Sequence, residues 1–349
     1  MKKIEVGILG ATGMVGQRFV SLLRDHPWFE LTWLAASDRS AGKDYGEACN
    51  WRLREPMPES FQGMRVQECK PSGAPQLLFA SLDSKVAGEV EKDFAQAGHV
   101  VVSNSSHYRM DEDVPLLIPE VNPDHLALAR VQRQQRQWNG MIVTNPNCTT
   151  VGLVMSLAPL EAAFGIERVL MTSMQAVSGA GYPGVPTLDI LGNVIPYIAG
   201  EEEKVERETQ KLLGRLTDGR VQQSKIIVSA HCNRVLVEDG HTESISVSLK
   251  DKASLQDLIA AWRNYRSRPQ ELNLPSAPAH PIVVREENNR PQARLDVDTE
   301  GGMAAVIGRV RHCPVLQFKY TSLSHNTIRG AAGAALLNAE LMKAEGYLD

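Results

Sequence analysis

Gly7-Ile8-Leu9-Gly10-Ala11-Thr12-Gly13-Met14-Val15-Gly16 is the stretch on which the reading of this chain turns. It spaces Gly7, Gly10, Gly13 and Gly16 three residues apart, between a β-rich run at residues 3–9 and a helical pattern at 15–23. A backbone without Cβ approaches a pyrophosphate closely, and the first turn of a helix offers unpaired N–H groups and the positive end of its dipole. A strand before and an amphipathic helix after are the surroundings a dinucleotide-binding turn requires. The alternative is a purely structural tight turn.

Outward from that turn the alternation continues. Residues 31–36, 76–80, 100–103 and 141–144 read as strands, and 85–97 and 123–136 as helices. Strands separated by helices mean a parallel sheet with right-handed crossovers, helices on both faces, and ligands at the carboxyl ends of the strands. This predicts a doubly wound α/β domain over residues 1–147. Beyond it, a helix to about residue 163, a β-rich run at 168–177, a Gly/Pro loop at 178–186 and strand-like runs at 225–231, 244–249, 303–310 and 315–323 predict an α+β domain with a mixed or antiparallel sheet, residues 148–325. The Ala/Leu-rich segment 326–344 predicts a helix, and residues 326–349 are expected to return to the first domain.

A chain of 349 residues exceeds the usual size of one hydrophobic core, and 43% hydrophobic with 22% charged residues is an ordinary folded composition. The net charge of -4, with Lys and Arg spread along the chain, gives no stripe to neutralise phosphates, so nucleic acid is not an expected partner. No apolar run reaches membrane-spanning length, and Met1-Lys2-Lys3 leads into a strand-like segment, so a cytoplasmic protein is expected. Cys49, Cys69, Cys148, Cys232 and Cys313 are widely spaced, without zinc-ligand spacing; free thiols and no metal site are expected, four of them as packing.

Cys148 stands apart because Thr144-Asn145-Pro146-Asn147-Cys148-Thr149-Thr150 closes a strand and opens an apolar helix. A helix N-terminus or a cationic neighbour raises the thiolate fraction, and the nearby amides suit an oxyanion. Its partner is sought in the stretch from His231 to Glu243, expected to form a tight connection between two strands. His241 is the favoured acid/base, with an imidazolium stabilising the thiolate; His231 and His325 are taken as structural or cofactor-adjacent. At the end of the second strand Ser37, Arg39, Ser40 and Lys43 outnumber Asp38, which favours a 2′-phosphate and therefore NADP.

Taken together, Gly-Ala-Thr-Gly-Met-Val-Gly at 10–16, Ser-Asn-Ser-Ser-His-Tyr-Arg-Met at 103–110, Asn-Pro-Asn-Cys-Thr-Thr at 145–150 and Asp-Gly-His-Thr-Glu at 239–243 resemble the aspartate-semialdehyde dehydrogenase family, its archaeal and fungal-like branch, in the same order over nearly the whole chain. The resemblance implies an NADP-dependent oxidoreductase of amino-acid biosynthesis (lysine, threonine, methionine, isoleucine), a homodimer or homotetramer whose second domain is catalytic and dimerising. It implies Cys148 as acyl-thioester nucleophile, His241 as acid/base and Gln175 orienting the intermediate. Arg234 would clamp the substrate α-carboxylate, Arg109 with Lys204 the phosphate, and Glu201, or a neighbour in the run 201–203, the ammonium. Cofactor contacts would come from Gly10, Thr12, Gly13, Met14, Val15, Ser37, Arg39, Ser40, Ser81, Leu82, Ser178, Gly181 and Asn326. The substrates implied are aspartyl phosphate or, in reverse, aspartate semialdehyde and phosphate. The rivals are another thioester-forming reductase, acting on malonyl-CoA or an N-acetyl-glutamyl phosphate, and a catalytically silent dinucleotide-binding regulator.

Overall fold

The computed structural model of the chain describes residues 2–348; residues 1 and 349, the outer ends of the expected domains, lie outside them. Six strands, β1 (Ile4–Leu9), β2 (Phe29–Ala36), β3 (Val66–Glu68), β4 (Leu77–Ala80), β5 (Val100–Ser103) and β6 (Met141–Thr144), pair in parallel in the order β3-β2-β1-β4-β5-β6. The strand order reverses between β1 and β4, so a crevice opens at their carboxyl ends, where the glycine-rich turn follows β1. Strands β4, β5 and β6 are buried at every residue, as a sheet covered on both faces requires. Helices α1 (Met14–Leu23), α2 (Tyr45–Ala48), α3 (Glu59–Gln62), α4 (Ser84–Gln96) and α5 (Leu128–Arg136) fill the connections. The helix expected over 123–136 is a 3-10 turn, Pro123–Ala127, running into α5. Strand β3 and the one-turn helices α2 and α3 escape a periodicity reading because Pro56, Pro58 and Gly63 break that segment into pieces too short to show one.

The second half carries α6 (Cys148–Phe164), β7 (Ile166–Gln175), α7 (Thr187–Ile190), α8 (Glu201–Leu212), a small hairpin of β8 (Arg215–Thr217) and β9 (Arg220–Gln222), β10 (Ile227–Arg234), β11 (His241–Leu249), α9 (Leu255–Arg263), α10 (Arg268–Glu271), β12 (Ile282–Val284), α11 (Ala293–Asp296), β13 (Ala305–His312), β14 (Phe318–Ser324) and α12 (Gly333–Ala344). Its main sheet, β10-β7-β11-β14-β13-β12, is mixed, parallel at β10–β7 and β12–β13 and antiparallel elsewhere. One face packs under α6, α8 and α9, while Leu170 and Ile227 on the other are 45% and 58% exposed. The expected tight connection at 231–243 is mostly strand: His231–Arg234 finish β10, His241–Glu243 begin β11, and only 235–240 link them. Polar residues continue these strands because their inner face, at this end of the sheet, meets the head of α6 instead of an apolar core.

Helix α6 is buried on all sides from Thr149 to Leu160, which explains a sequence hydrophobic all round. The last helix and the turn before it pack on the first sheet: Ala332, Leu336, Leu337 and Met342 share one apolar core with Val6, Ile8, Phe79 and Val102. Arg329, in the π turn Ile328–Ala332 before α12, makes a fully buried two-pronged bond to Glu120 (2.7 and 2.6 Å). Removing one partner of such a pair costs about 3–5 kcal/mol. Among the described residues no helix is long and apolar enough to cross a membrane, and no His/Cys/Asp/Glu cluster is arranged to hold a metal ion.

Candidate active site

Cys148 is the first residue of α6, and Asn147 caps the helix: its Oδ1 accepts from the Thr149 and Thr150 amides at 2.9 and 3.1 Å. Asn147 Nδ2 in turn donates to Glu201 Oε1 (2.8 Å), at the first residue of α8. Gly330 allows this packing, since a Cβ there would lie 2.7 Å from that of Cys148. The cap follows from sequence, because Asn before Cys-Thr-Thr is a strong N-cap signal.

Three strands end beside this helix head. Gln175 closes β7, Arg234 closes β10 directly opposite it, and His241 opens β11 on the other flank. His241 Nε2 lies 3.3 Å from Cys148 Sγ. Its Nδ1 accepts from the Ala176 amide (3.1 Å), which leaves the proton of the neutral ring on Nε2, facing the sulfur. Arg234 Nη1 donates to Ala176 O (2.7 Å), and Gln175 Nε2 to Ser173 Oγ (3.2 Å). Gly179 closes the ring, because a Cβ there would crowd Arg234 Nη1 at 3.0 Å and His241 Cε1 at 3.2 Å.

The electrostatics overturn the expected imidazolium–thiolate pair. Cys148 keeps partial exposure at the mouth of the site, but its sulfur is enclosed by protein. Burial pushes the thiol up to about 12, with Glu201 adding to the rise and Arg109, Arg234 and the Thr149 amide pulling the other way. Burial, then Arg234 and His325, drive the His241 imidazole down to about 3. Both directions favour neutral thiol beside neutral imidazole, and the Ala176 N–H aimed at Nδ1 gives the same answer independently.

Arg109 is buried, not part of a surface ion pair: Nη1 meets Glu208 Oε1 at 3.0 Å and Nη2 donates to Asn104 O at 2.7 Å. Glu201 is also buried, accepts from Thr149 Oγ1 (3.4 Å) and pairs with half-exposed Lys204 (3.5 Å). Glu201 is the member of the acidic run that faces Cys148. The site therefore gathers Cys148, His241, Gln175, Arg234, Arg109 and Glu201, with Lys204 at its rim. His231 belongs to neither expected class, since it is exposed on the outer face of the second sheet. His325 is buried and borders the interdomain cleft. Cys49 and Cys232 are buried filler, but Cys69 and Cys313 keep partial exposure.

The glycine-rich turn is shaped for a ligand. A Cβ on Gly10, whose φ is +83°, would lie 2.5 Å from Ser81 O, and one on Gly16 would lie 2.3 Å from Gly10 O, so chain packing demands both glycines. A Cβ on Gly13 would meet nothing nearer than Gly10 O at 3.5 Å. Gly13 thus leaves an open cradle at the N-terminus of α1, the place a pyrophosphate occupies. Thr12, Met14 and Val15 flank it half-buried, and Ser81 and Leu82 follow β4 into the same crevice. Ser37 and Arg39 are exposed beyond β2, and the half-buried Ser40 donates its amide to Ser37 O (2.8 Å), beside a hollow of roughly 460 Å³ lined by Asp38, Arg65 and Lys70. Met14, Ser178 and Gly181 line a hollow of roughly 320 Å³ between the two sheets' loops. Asn326 Nδ2 donates to Ser178 Oγ and Asn326 Oδ1 accepts from the Gly240 amide, both at 2.8 Å, joining this hollow to His241.

Glu243, one strand step inward from His241, was not expected in the site. Neither carboxylate oxygen has a hydrogen-bond partner among the described residues, nor do Ser322 Oγ and Ser324 Oγ nearby. Gly152 of α6 presses on the group, with a Cβ there falling 3.2 Å from Glu243 Oε1. Burial holds the carboxyl well above its usual range. The folded protein takes up this proton at higher pH than the unfolded chain, so the stability it contributes is present below the ordinary value of about 4.3 and lost as pH rises. Glu243→Gln is expected to match the parent near pH 4.5 and to melt higher at pH 8, by about 2–4 °C for each kcal/mol recovered. A variant less stable than the parent at both pH values would show that the carboxylate has a partner.

Comparisons with known proteins meet the same features. Residues 5–129 match the family described as semialdehyde dehydrogenase, NAD binding domain, and residues 157–329 the semialdehyde dehydrogenase dimerisation domain. Aspartate-semialdehyde dehydrogenase of Methanothermobacter thermautotrophicus is 53% identical over 343 residues, covering 97% of this chain and 99% of its own. The crystal structure of Candida albicans aspartate semialdehyde dehydrogenase with NADP superposes with a TM-score of 0.91 at 44% identity over 99% of both chains. Vibrio cholerae aspartate semialdehyde dehydrogenase II, complexed with ASA, has a TM-score of 0.79 at 26% identity, covering 98% of this chain and 99% of that one.

Proposed function

We infer that this chain, which belongs to the aspartate-semialdehyde dehydrogenase family, catalyses the reversible NADP-dependent conversion of 4-phospho-L-aspartate to L-aspartate 4-semialdehyde and phosphate. The observation that carries the reading is the 3.3 Å approach of His241 Nε2 to Cys148 Sγ at the head of α6, ringed by Arg109, Arg234 and Glu201. In that ring Arg234 receives the α-carboxylate, Glu201 the ammonium, and Arg109 with Lys204 the phosphate. Gln175 orients the acyl group.

Cys148 attacks the acyl carbon as the C–O bond to phosphate breaks, leaving a thioester on the sulfur. The thiol proton departs with the phosphate, as HPO₄²⁻, which suits a ring already protonated on Nε2. His241 therefore works first as a donor to the sulfur. NADPH, when bound, supplies the hydride for the thioester carbon, and the Gly10–Val15 turn, Ser37, Arg39, Ser40, Ser81, Leu82, Ser178, Gly181 and Asn326 are the residues to hold it. Collapse of the thiohemiacetal breaks the C–S bond, releases the aldehyde and returns a thiolate, which the Nε2–H of His241 stabilises before solvent reprotonates it.

The enzyme serves amino-acid biosynthesis, in the cytoplasm. Within the described residues, the proposed division is a dinucleotide domain in 1–147, a catalytic and dimerisation domain in 148–325, and a C-terminal segment in 326–349 whose helix α12 packs on the first sheet. The open outer face of β10, β7, β11 and β14 supports assembly into a homodimer or a pair of such dimers. A steady-state assay offering 4-phospho-L-aspartate, an N-acetyl-glutamyl phosphate and malonyl-CoA with NADPH is expected to show turnover of the first at least about 100-fold above the others, since both rivals lack the free α-ammonium that Glu201 would meet and so leave that contact of its buried carboxylate unfilled. Preference for malonyl-CoA would reassign the substrate while keeping the thioester chemistry.

A further inference from the structure

We propose that Glu208, a residue outside every motif of the sequence, is a positioning residue that sets the phosphate clamp and the nucleophile's turn against each other. Its carboxylate is 2% exposed and divided between two tasks. Oε1 receives Arg109 Nη1 at 3.0 Å, and Oε2 accepts the Asn147 backbone amide at 2.6 Å. Asn147 is the N-cap of the Cys148 helix, so one side chain ties the guanidinium that meets phosphate to the residue that aims the sulfur.

The same helix grips Arg109 from its other end. Lys211 Nζ donates to the carbonyls of Arg109, Asp111 and Val114 at 2.8, 2.7 and 2.9 Å, fixing the backbone that carries the arginine. Glu201, Lys204, Glu208 and Lys211 recur at the spacing of a single helical face. Helix α8 is thus a rigid bar whose side chains set the ammonium contact, the phosphate contact and the helix cap together. Because the Glu208 charge is absorbed by a cation and an amide, it orients Arg109 more than it repels an incoming anion.

This inference rests on Arg109 being the phosphate clamp. In the phosphorylating direction, with aspartate semialdehyde, NADP and inorganic phosphate, Glu208→Ala is expected to raise the KM for phosphate about tenfold or more, with the KM for the aldehyde changed less than about twofold. Glu208→Gln keeps the shape but meets one of the two donors with an NH₂ group, and is expected to fall between parent and alanine variant. Calorimetric binding of inorganic phosphate to parent and variants needs no turnover, and the affinities should fall in the same order. An unchanged or tighter phosphate affinity in Glu208→Gln, or equal rises in both KM values, would overturn the role of Glu208. A parent that binds phosphate but does not oxidise aspartate semialdehyde would overturn the assigned reaction and leave the calorimetric result standing on its own.

Discussion

Cys148→Ala is expected to lower kcat about 10,000-fold or more in both directions while the NADP affinity stays within about twofold of the parent. On the proposed mechanism Sγ is the atom that bonds the acyl group, and no second thiol stands in its place: Cys232 is buried on β10, and Cys49, Cys69 and Cys313 lie on other elements. The fold tolerates the change, because alanine is a good residue for a helix start and the cap is made by Asn147. The cofactor turn at Gly10–Val15 belongs to a different sheet, so fluorescence titration with NADPH reports its integrity separately. Residual turnover above about 1% of the parent would move the covalent step away from Cys148.

The second large effect concerns His241. His241→Asn removes the Nε2–H that faces Sγ, and kcat is expected to fall about 100- to 1,000-fold, the usual span for losing one preorganised donor to developing charge. The structure adds a more specific expectation. With Nδ1 accepting from Ala176 and burial driving the imidazole down to about 3, the ring carries one proton, on Nε2, across the neutral range. The sign is that of a depressed base: below its ordinary value near 6.5 the unfolded chain protonates this histidine and the folded one does not, so His241 costs stability progressively as pH falls. Nitrogen-15 NMR of labelled histidine should show one ring fixed in the Nε2–H tautomer from pH 5 to 8, and its signals should vanish in His241→Asn. If the signals that His241→Asn removes instead titrate near 6.5, the imidazolium–thiolate pair that sequence alone suggested is restored.

That difference marks how far sequence reaches. The parallel sheet was legible because fully buried strands and a glycine-rich turn leave local signatures, in Val100–Ser103 and in Gly10–Gly16. The place of Cys148 at the head of a helix was legible because strand, Asn cap and apolar helix adjoin in the chain. Glu208 left no such mark, and Glu243, although it ends the Asp-Gly-His-Thr-Glu stretch, gave no sign of its burial, since a glutamate in a charged helix or a half-polar strand reads as solvated until the tertiary packing buries it. The protonation of His241 was equally hidden: it depends on the amide of Ala176, remote in the chain and brought near only by the β7–β11 pairing. Residues 231–243 were taken for a turn because Arg234 and His241 owe their polarity to facing the site, and local pattern cannot separate that from facing water as His231 does.

The last helix also bears on the order in which the molecule is made. Ala332, Leu336, Leu337 and Met342 complete the apolar core of the sheet that the first residues begin. A ribosome that has finished β6 at Thr144 must still add roughly 190 residues before that helix starts at Gly333, about 10–40 s at ordinary synthesis rates. For that interval the dinucleotide domain carries an uncovered apolar flank. Chains cut short near Ser324 should therefore aggregate instead of accumulating as a free cofactor-binding domain.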